Sequence, residues 1–360
     1  MRVLIVKTSS LGDVIHTLPA VTDAARAVTG LRFDWVVEEA FAEIPAWHPA
    51  VDKIIPVALR RWRKHPLQAR RSGEWQAFSR ALGATRYDAV IDAQGLLKSA
   101  WLSRRADGPV HGLARNSARE PLASLFYRHR HTVPWGRHAV LRVRELFAQA
   151  LGYPLPLNAE HDGDYGVERN RVLAAASHEP QAERPYLVFL HGTTWPTKHW
   201  PETYWRQLAE QATASGWAVH LPWGSEAELA RAQRIAHGLP GALVLPRLKL
   251  ADIAAELAGA RACVAVDTGL GHLAAALDVP TLSLFGATNP GYTGAWGRSQ
   301  RHLASDFPCA PCLKRSCGYT PTAEDRARFD LAREQPLCFT RLAPARVWNE
   351  LRAIAAPEHA

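Results

Sequence analysis

Residues 266–277 read VDTGLGHLAAAL and follow the apolar run RACVAV at 261–266. A short run of strand formers closes on an acid and a hydroxyl, meets two glycines, and passes into an alanine-rich stretch. That order predicts a buried strand, a tight loop and the start of a helix. A helix N-terminus there offers unpaired N–H groups and the positive end of a dipole, which suits a phosphate. Gly269 and Gly271 remove side chains where a phosphate would meet the backbone. The same alternation recurs outward. RVLIVK, FDWVVEE, DKIIPVA and YDAVIDAQG punctuate the first half; PYLVFLHG, WAVHLPWG, GALVLP and PTLSLFG punctuate the second. Continuous Val/Ile/Leu runs separated by helical stretches predict parallel strands covered on both faces.

The two halves are joined by LGYPLPLNAEHDGDYGVERN and SHEPQAERP, whose Pro, Gly and charge read as a linker. The expectation is an α/β protein with two doubly wound domains facing across a cleft. The first spans 1–165, a linker follows at 166–182, the second spans 183–340, and a helix and tail occupy 341–360. After the first strand one helical stretch is expected over about 14–28, bent or restricted by Pro19. The last helix, near 344–355, has Val347, Leu351 and Ile354 on one face and is expected to pack back on the N-terminal domain.

Composition supports a globular chain: 360 residues, 47% hydrophobic and 21% charged, are comfortable for two cores. No apolar run reaches the roughly 20 residues of a spanning helix. The opening MRVLIVKTSSLGDV has an apolar core of only residues 3–6, too short for a signal peptide, so a cytoplasmic location is expected. The formal charge of +9 admits three kinds of partner: nucleic acid, an acidic membrane surface or an acidic substrate. No nucleic-acid-binding motif accompanies it.

Ligands of open α/β sheets bind beyond the carboxyl ends of the strands. In the first half VKTSSLGDVIHTLP puts Thr8, Ser9, Ser10, Gly12 and Asp13 there; in the second FLHGTTWPTKHWPE puts Thr193, Thr194 and Lys198 there. Neither loop is a Walker A or a GxGxxG motif. Ser, Thr and Asp are also ordinary helix caps, but several such loops at two sheet edges point to a site. Thr193, Thr194 and Lys198 with the 267–272 loop read as a nucleoside diphosphate site. Asp267 would repel a phosphate, so it suits sugar hydroxyls or the amides of its own turn.

Seven stretches, KTSSLGDVIHTLPAV, DWVVEEAFAEIPAWHPAVDKIIPVALRRWRK, DAVIDAQGLLKSA, AREPLASLFY, KHWP, LPWG and VDTGLGHLAAAL, occur here in order. Together they resemble the bacterial lipopolysaccharide heptosyltransferases, from the first residue to about Gly286. The resemblance implies a GT-B fold, an ADP-heptose donor and a Kdo-bearing lipid A acceptor at the cytoplasmic face of the inner membrane. It places the general base of an inverting transfer on Asp13, with Ser10 beside it as an acceptor-binding residue. Lys198, Thr193, Thr194 and the amides of Thr268, Gly269 and Leu270 would take the charge leaving on the diphosphate. Glu228 would hold the ribose and Leu248 the adenine; Asp267, Gly271 and His272 would face the heptose or the diphosphate. The bland alternatives are an N-cap for Asp13, a surface glutamate for Glu228 and core packing for Leu248.

LRRWRKHPLQARR supplies Arg60, Arg61, Arg63 and Lys64, a solvated helix face or a clamp for acceptor phosphates and carboxylates; Arg119 is a second candidate. No Asp-x-Asp pair is placed to bridge a metal to the diphosphate, so metal-free chemistry is expected. Three functions compete: transfer of the first heptose to Kdo, transfer of the second heptose, and non-catalytic binding of a nucleotide sugar or lipopolysaccharide.

Cys309, Cys312, Cys317 and Cys338 are spaced C-x2-C-x4-C-x20-C. They could hold a structural zinc or remain reduced thiols; family members with and without this segment imply that the reaction does not need it. Trp35, Trp101 and Trp348 read as core, while Trp62 and Trp195 lie in the site loops.

Overall fold

The protein is represented by a computed structural model that describes residues 1–156, 163–180 and 184–356; parts of the linker and tail expected above therefore lie outside the described residues. It forms two compact units, Met1–Arg171 and Val172–Ala360. In the first, strands β1 (Arg2–Val6), β2 (Arg32–Glu38), β3 (Val51–Val57), β4 (Ala89–Asp92), β5 (Val110–Leu113) and β6 (His129–His131) make one sheet in the order β3-β2-β1-β4-β5-β6. In the second, β7 (Tyr186–Leu190), β8 (Ala218–Leu221), β9 (Ala242–Val244), β10 (Ala262–Val266), β11 (Thr281–Phe285) and β12 (Gln300–Ala304) are ordered β12-β11-β10-β7-β8-β9. The strand neighbours pair in parallel throughout.

Burial explains the central strands. Every residue of β4, β7, β10 and β11 is buried, which suits their mostly apolar side chains on both faces; among the polar exceptions, Asp92 and Thr281 are hydrogen-bonded. The edges read differently: β6 is HRH and β12 is QRHLA, both mostly exposed, and β9 has three residues. Short, charged outer strands discourage further strand pairing.

The expected helix after β1 is two helices, Leu11–Ile15 and Leu18–Ala27, broken at His16 and Thr17. Pro19 sits in the first turn of the second helix, where its missing N–H breaks no intrahelical bond. That helix packs on Ala139–Leu151 through a buried ion pair, Arg144 Nε to Asp23 Oδ2 at 2.6 Å.

The C-terminal helix, Pro344–Ala355, corrects the expectation placed on it. Val347, Trp348, Leu351 and Ala355 are buried in the core of the second unit with Trp200, Trp205 and Phe339. It packs on β10, β11 and the helix Glu202–Ala214. The sheet face there is apolar and otherwise open, so the stripe closes its own domain. Trp101 also departs from its core reading: it is 41% exposed, its ring stacked on Trp75. Among the described residues no helix is long and apolar enough to cross a membrane.

Leu351 is fully buried against the second sheet, so Leu351→Ala should cost about 2–5 kcal/mol through lost contacts and a cavity. The urea midpoint of unfolding, read by tryptophan fluorescence, is expected to fall; an unchanged midpoint would contradict this packing.

Candidate active site

Each sheet reverses its winding beside its first strand, between β1 and β4 in one unit and between β7 and β10 in the other. The loops leaving those strands open a crevice at the strand ends, and the polar residues singled out above fall there.

In the first unit, Lys7 follows β1 and is buried. Its ammonium donates to Ala93 O at 2.9 Å and lies 3.8 Å from Asp13 Oδ1. The Ser10 backbone N–H and hydroxyl donate to Asp13 Oδ2 at 2.8 and 2.7 Å. Asp13 therefore does cap its helix, but one oxygen serves the cap while the other faces Lys7. Its side chain remains 45% exposed. Burial pushes its pKa up, yet Lys7, the two Ser10 donors and the field of Arg119 outweigh it, and the carboxyl sits below the usual aspartate range. It is an ionised, oriented and accessible carboxylate.

Gln94, just beyond β4, holds the loop from the other side. Its Oε1 accepts from Thr8 N at 2.7 Å, Thr8 Oγ1 at 3.0 Å and Ser9 N at 3.3 Å, and its Nε2 donates to Ser9 O. Asp92 in turn fixes the Gln94 turn, accepting from Gln94 N, Gly95 N, Ser99 Oγ and Tyr127 OH. Lys7, Gln94 and Asp92 were not singled out from sequence. Their signal was positional: each stands at or beside the end of a strand that flanks the reversal.

The basic segment divides. Arg61 is committed, its guanidinium paired with Glu39 at 3.0 Å and Glu74 at 2.9 Å. Trp62 donates to Glu74 at 2.6 Å and packs edge-on to Trp75 and Phe78, an anchor for its helix rather than a stacking platform. Arg60 is exposed, its guanidinium 5.2 Å above the Phe41 ring. Arg63 and Lys64 are exposed without an ion pair among the described residues, and Arg119 is also exposed.

In the second unit Lys198 Nζ lies 2.7 Å from Asp267 Oδ2, and Thr288 Oγ1 donates to the same oxygen at 2.6 Å. Thr193 Oγ1 donates to Asp267 O at 3.0 Å, tying the β7 loop to the β10 loop. Lys198 also lies 4.5 Å from the Trp195 ring centroid. Thr194 is exposed; Thr268 precedes the helix Gly269–Ala276 as its N-cap, with Gly269 and Leu270 in its first turn. Gly271 and His272 are buried in that helix. Glu228 is neither idle nor merely superficial: its Oε2 accepts from Gly224 N and Ser225 N at 2.8 and 3.1 Å. A Cβ at Gly192 would clash with Glu228 Oε1, so the carboxylate lies directly on the β7 loop. Leu248 is half-buried in the coil after β9, outside the packed core. The second unit thus gathers a cation, a short helix N-terminus and a placed carboxylate around one loop pair.

The four cysteines are free thiols; Cys338 is buried, Cys317 exposed and the other two between. Among the described residues no group of three or more His, Cys, Asp or Glu is arranged to hold a metal ion.

Two doubly wound units of parallel strands, each with its polar residues at the reversal, make a fold of the GT-B type. Residues 75–323 match the model of glycosyltransferase family 9 (heptosyltransferase). The chain is 69% identical over 360 residues to lipopolysaccharide heptosyltransferase 1 of Pseudomonas aeruginosa, covering 99% of each. The structure of E. coli heptosyltransferase WaaC with ADP superposes with a TM-score of 0.79 at 52% identity, covering 85% of this chain and 93% of that one. Lipooligosaccharide heptosyltransferase 2 of Haemophilus influenzae matches at 34% identity over 31% of this chain and 34% of its own. The chain belongs to glycosyltransferase family 9, the heptosyltransferases.

A base must be deprotonated to act, so activity is lost as pH falls through its pKa. If Asp13 is that base, as the family resemblance implies, its carboxyl held below the ordinary 3.8 places the acid limb of kcat/KM low. Lys7→Met removes the strongest lowering influence and should move that limb to higher pH; a profile that does not move would dissociate Lys7 from Asp13. If Glu228 holds the ribose, as the family resemblance implies, Gly192→Ala should displace its carboxylate and weaken ADP binding, read by calorimetry.

Proposed function

We propose that this chain transfers L-glycero-D-manno-heptose from ADP-heptose to a Kdo residue of Kdo-bearing lipid A, adding the first heptose of the lipopolysaccharide inner core. The observation that carries the reading is the end-to-end likeness to a heptosyltransferase 1, whereas the heptosyltransferase 2 relative matches over a third of the chain.

In this reading the donor belongs to the second unit. Glu228 accepts from ribose hydroxyls, and Leu248 offers an apolar edge to adenine. Lys198, the hydroxyls of Thr193 and Thr194, and the amides of Thr268, Gly269 and Leu270 meet the diphosphate. Asp267 presently neutralises Lys198; a bound diphosphate would share that ammonium, leaving the carboxylate to a sugar hydroxyl alongside Gly271 and His272. Charge building on the departing ADP is thereby met by a preplaced cation and N–H groups.

The first unit supplies the acceptor side. Asp13, ionised and aimed by Ser10, removes the proton from the attacking hydroxyl as it reaches the anomeric carbon from the face opposite ADP. One base suffices for this inversion, and no glycosyl-enzyme intermediate forms. Arg60, Arg63, Lys64 and Arg119 are the cations available to acceptor phosphates and carboxylates; Arg61 contributes by fixing its helix to Glu39 and Glu74. The enzyme works at the cytoplasmic face of the inner membrane, where its acceptor resides.

Incubation with ADP-heptose and Kdo-bearing lipid A should yield a heptosylated product, while the acceptor already carrying one heptose should remain unchanged; the reverse preference would reassign the chain to the second transfer. Asp13→Asn should lower kcat roughly 10²–10⁴-fold with ADP affinity intact, whereas a non-catalytic binder would lose nothing. Arg63→Glu with Lys64→Glu should raise the acceptor KM alone. Exhaustive chelation should leave turnover unaltered.

A further inference from the structure

Two short elements lie side by side over the first sheet: the helix Leu97–Ser103 and the 3-10 segment Pro121–Phe126. Each buries small side chains inward, Ser99, Ala100 and Ser103 from one and Ala123 and Ser124 from the other. Their outward faces are apolar: Leu97 is 40% exposed, Trp101 41%, Leu122 57% and Leu125 66%. Four of the eleven large apolar side chains that stand exposed among the described residues thus fall on two touching elements. Such clustering marks an interaction surface, whereas scattered exposed leucines do not.

The charges around this face are mostly basic, although Glu120, Asp88 and Asp107 border it. Residues 97–105 and 121–130 contain Lys98, Arg104, Arg105, Arg128 and Arg130 and no acid. Trp101 is held rigidly, its ring stacked on Trp75 at 5.2 Å between centroids and the Arg105 guanidinium 4.1 Å above it. Leucines interleaved with arginines around a fixed tryptophan are the chemistry of a surface seated at the boundary between lipid headgroups and acyl chains. A rim in which cations outnumber acids favours anionic headgroups.

The face adjoins the Asp13 loop. Leu97 N donates to Glu120 Oε2 at 2.7 Å, and Glu120 N donates to Gly95 O at 3.2 Å, directly after the Gln94 that clamps Thr8 and Ser9. We infer that the apolar face formed by Leu97, Trp101, Leu122 and Leu125, with its arginine rim, docks the first unit on an anionic bilayer, so that a lipid-anchored acceptor presents its sugar to Asp13. This deepens the acceptor assignment proposed above and rests on it for the identity of the sugar, but not for the lipid contact.

The test is co-sedimentation of the full chain with vesicles of phosphatidylcholine, alone or with one quarter phosphatidylglycerol. Binding is expected to the mixed vesicles, to fall with salt and to be weak on phosphatidylcholine alone. Leu122→Glu with Leu125→Glu should weaken it at least tenfold, and Arg104→Glu with Arg105→Glu comparably. Both variants should keep ADP binding and transfer to a deacylated, water-soluble Kdo acceptor within twofold of the parent. Failure of the parent to bind mixed vesicles would overturn the inference, as would leucine variants that bind like the parent. A parent dimer that those variants convert to monomer with vesicle binding unchanged would instead make the face a contact between copies. Absence of transfer by every protein would refute the acceptor reading while the vesicle result still decides the lipid contact.

Discussion

The reversal of strand order governs both halves of the molecule. Where β1 lies beside β4, and β7 beside β10, consecutive connections leave in opposite directions, and the loops at the strand ends cannot close over one another. Each opening is floored by backbone that needs partners, and each has acquired a lysine. Lys7 bonds to a carbonyl and stands off Asp13; Lys198 pairs closely with Asp267. The same topological gap is thus set differently in the two units. In the first, a carboxylate stays open beside a cation engaged elsewhere. In the second, carboxylate and cation hold each other directly. A fold duplicated in outline thus carries two different electrostatic settings at the same topological position.

The alternation of apolar runs and helical stretches made both sheets legible before any coordinates, because strands buried on two faces need uninterrupted Val, Ile and Leu. The break at His16 and Thr17 was less visible: Pro19 announced a disturbance, but only packing against Ala139–Leu151 decides where the helix restarts. For the last helix the stripe of Val347 and Leu351 revealed that something must be covered, without saying which sheet. Amphipathicity fixes a face and leaves the surface it meets to tertiary structure.

Within the site, the carboxylates and loop hydroxyls could be found because few residue types suit the chemistry. The residues that hold them could not. Gln94 carries no reactive group, and its four hydrogen bonds depend on β4 lying beside β1, a pairing between segments some eighty residues apart in sequence. The arginines of 60–63 illustrate the converse. Charge alone made them equal candidates, yet Glu39 and Glu74 occupy Arg61 from two other elements. Chemistry is written locally; support and competition are not. Metal-ligand spacing in the cysteine segment likewise leaves, among the described residues, no group of three or more ligands arranged to hold a metal.

The outer strands carry a further consequence. Rails such as HRH at β6 and QRHLA at β12 offer neighbouring molecules histidine and arginine instead of a flat apolar ribbon. Crowding raises the frequency of encounters between identical chains, and two exposed rails brought together would otherwise zip into a continuous sheet. Short polar borders, their arginines on the exposed face, give such pairing little apolar surface to bury. The edges thereby favour separate molecules over a continuous sheet, a property independent of turnover.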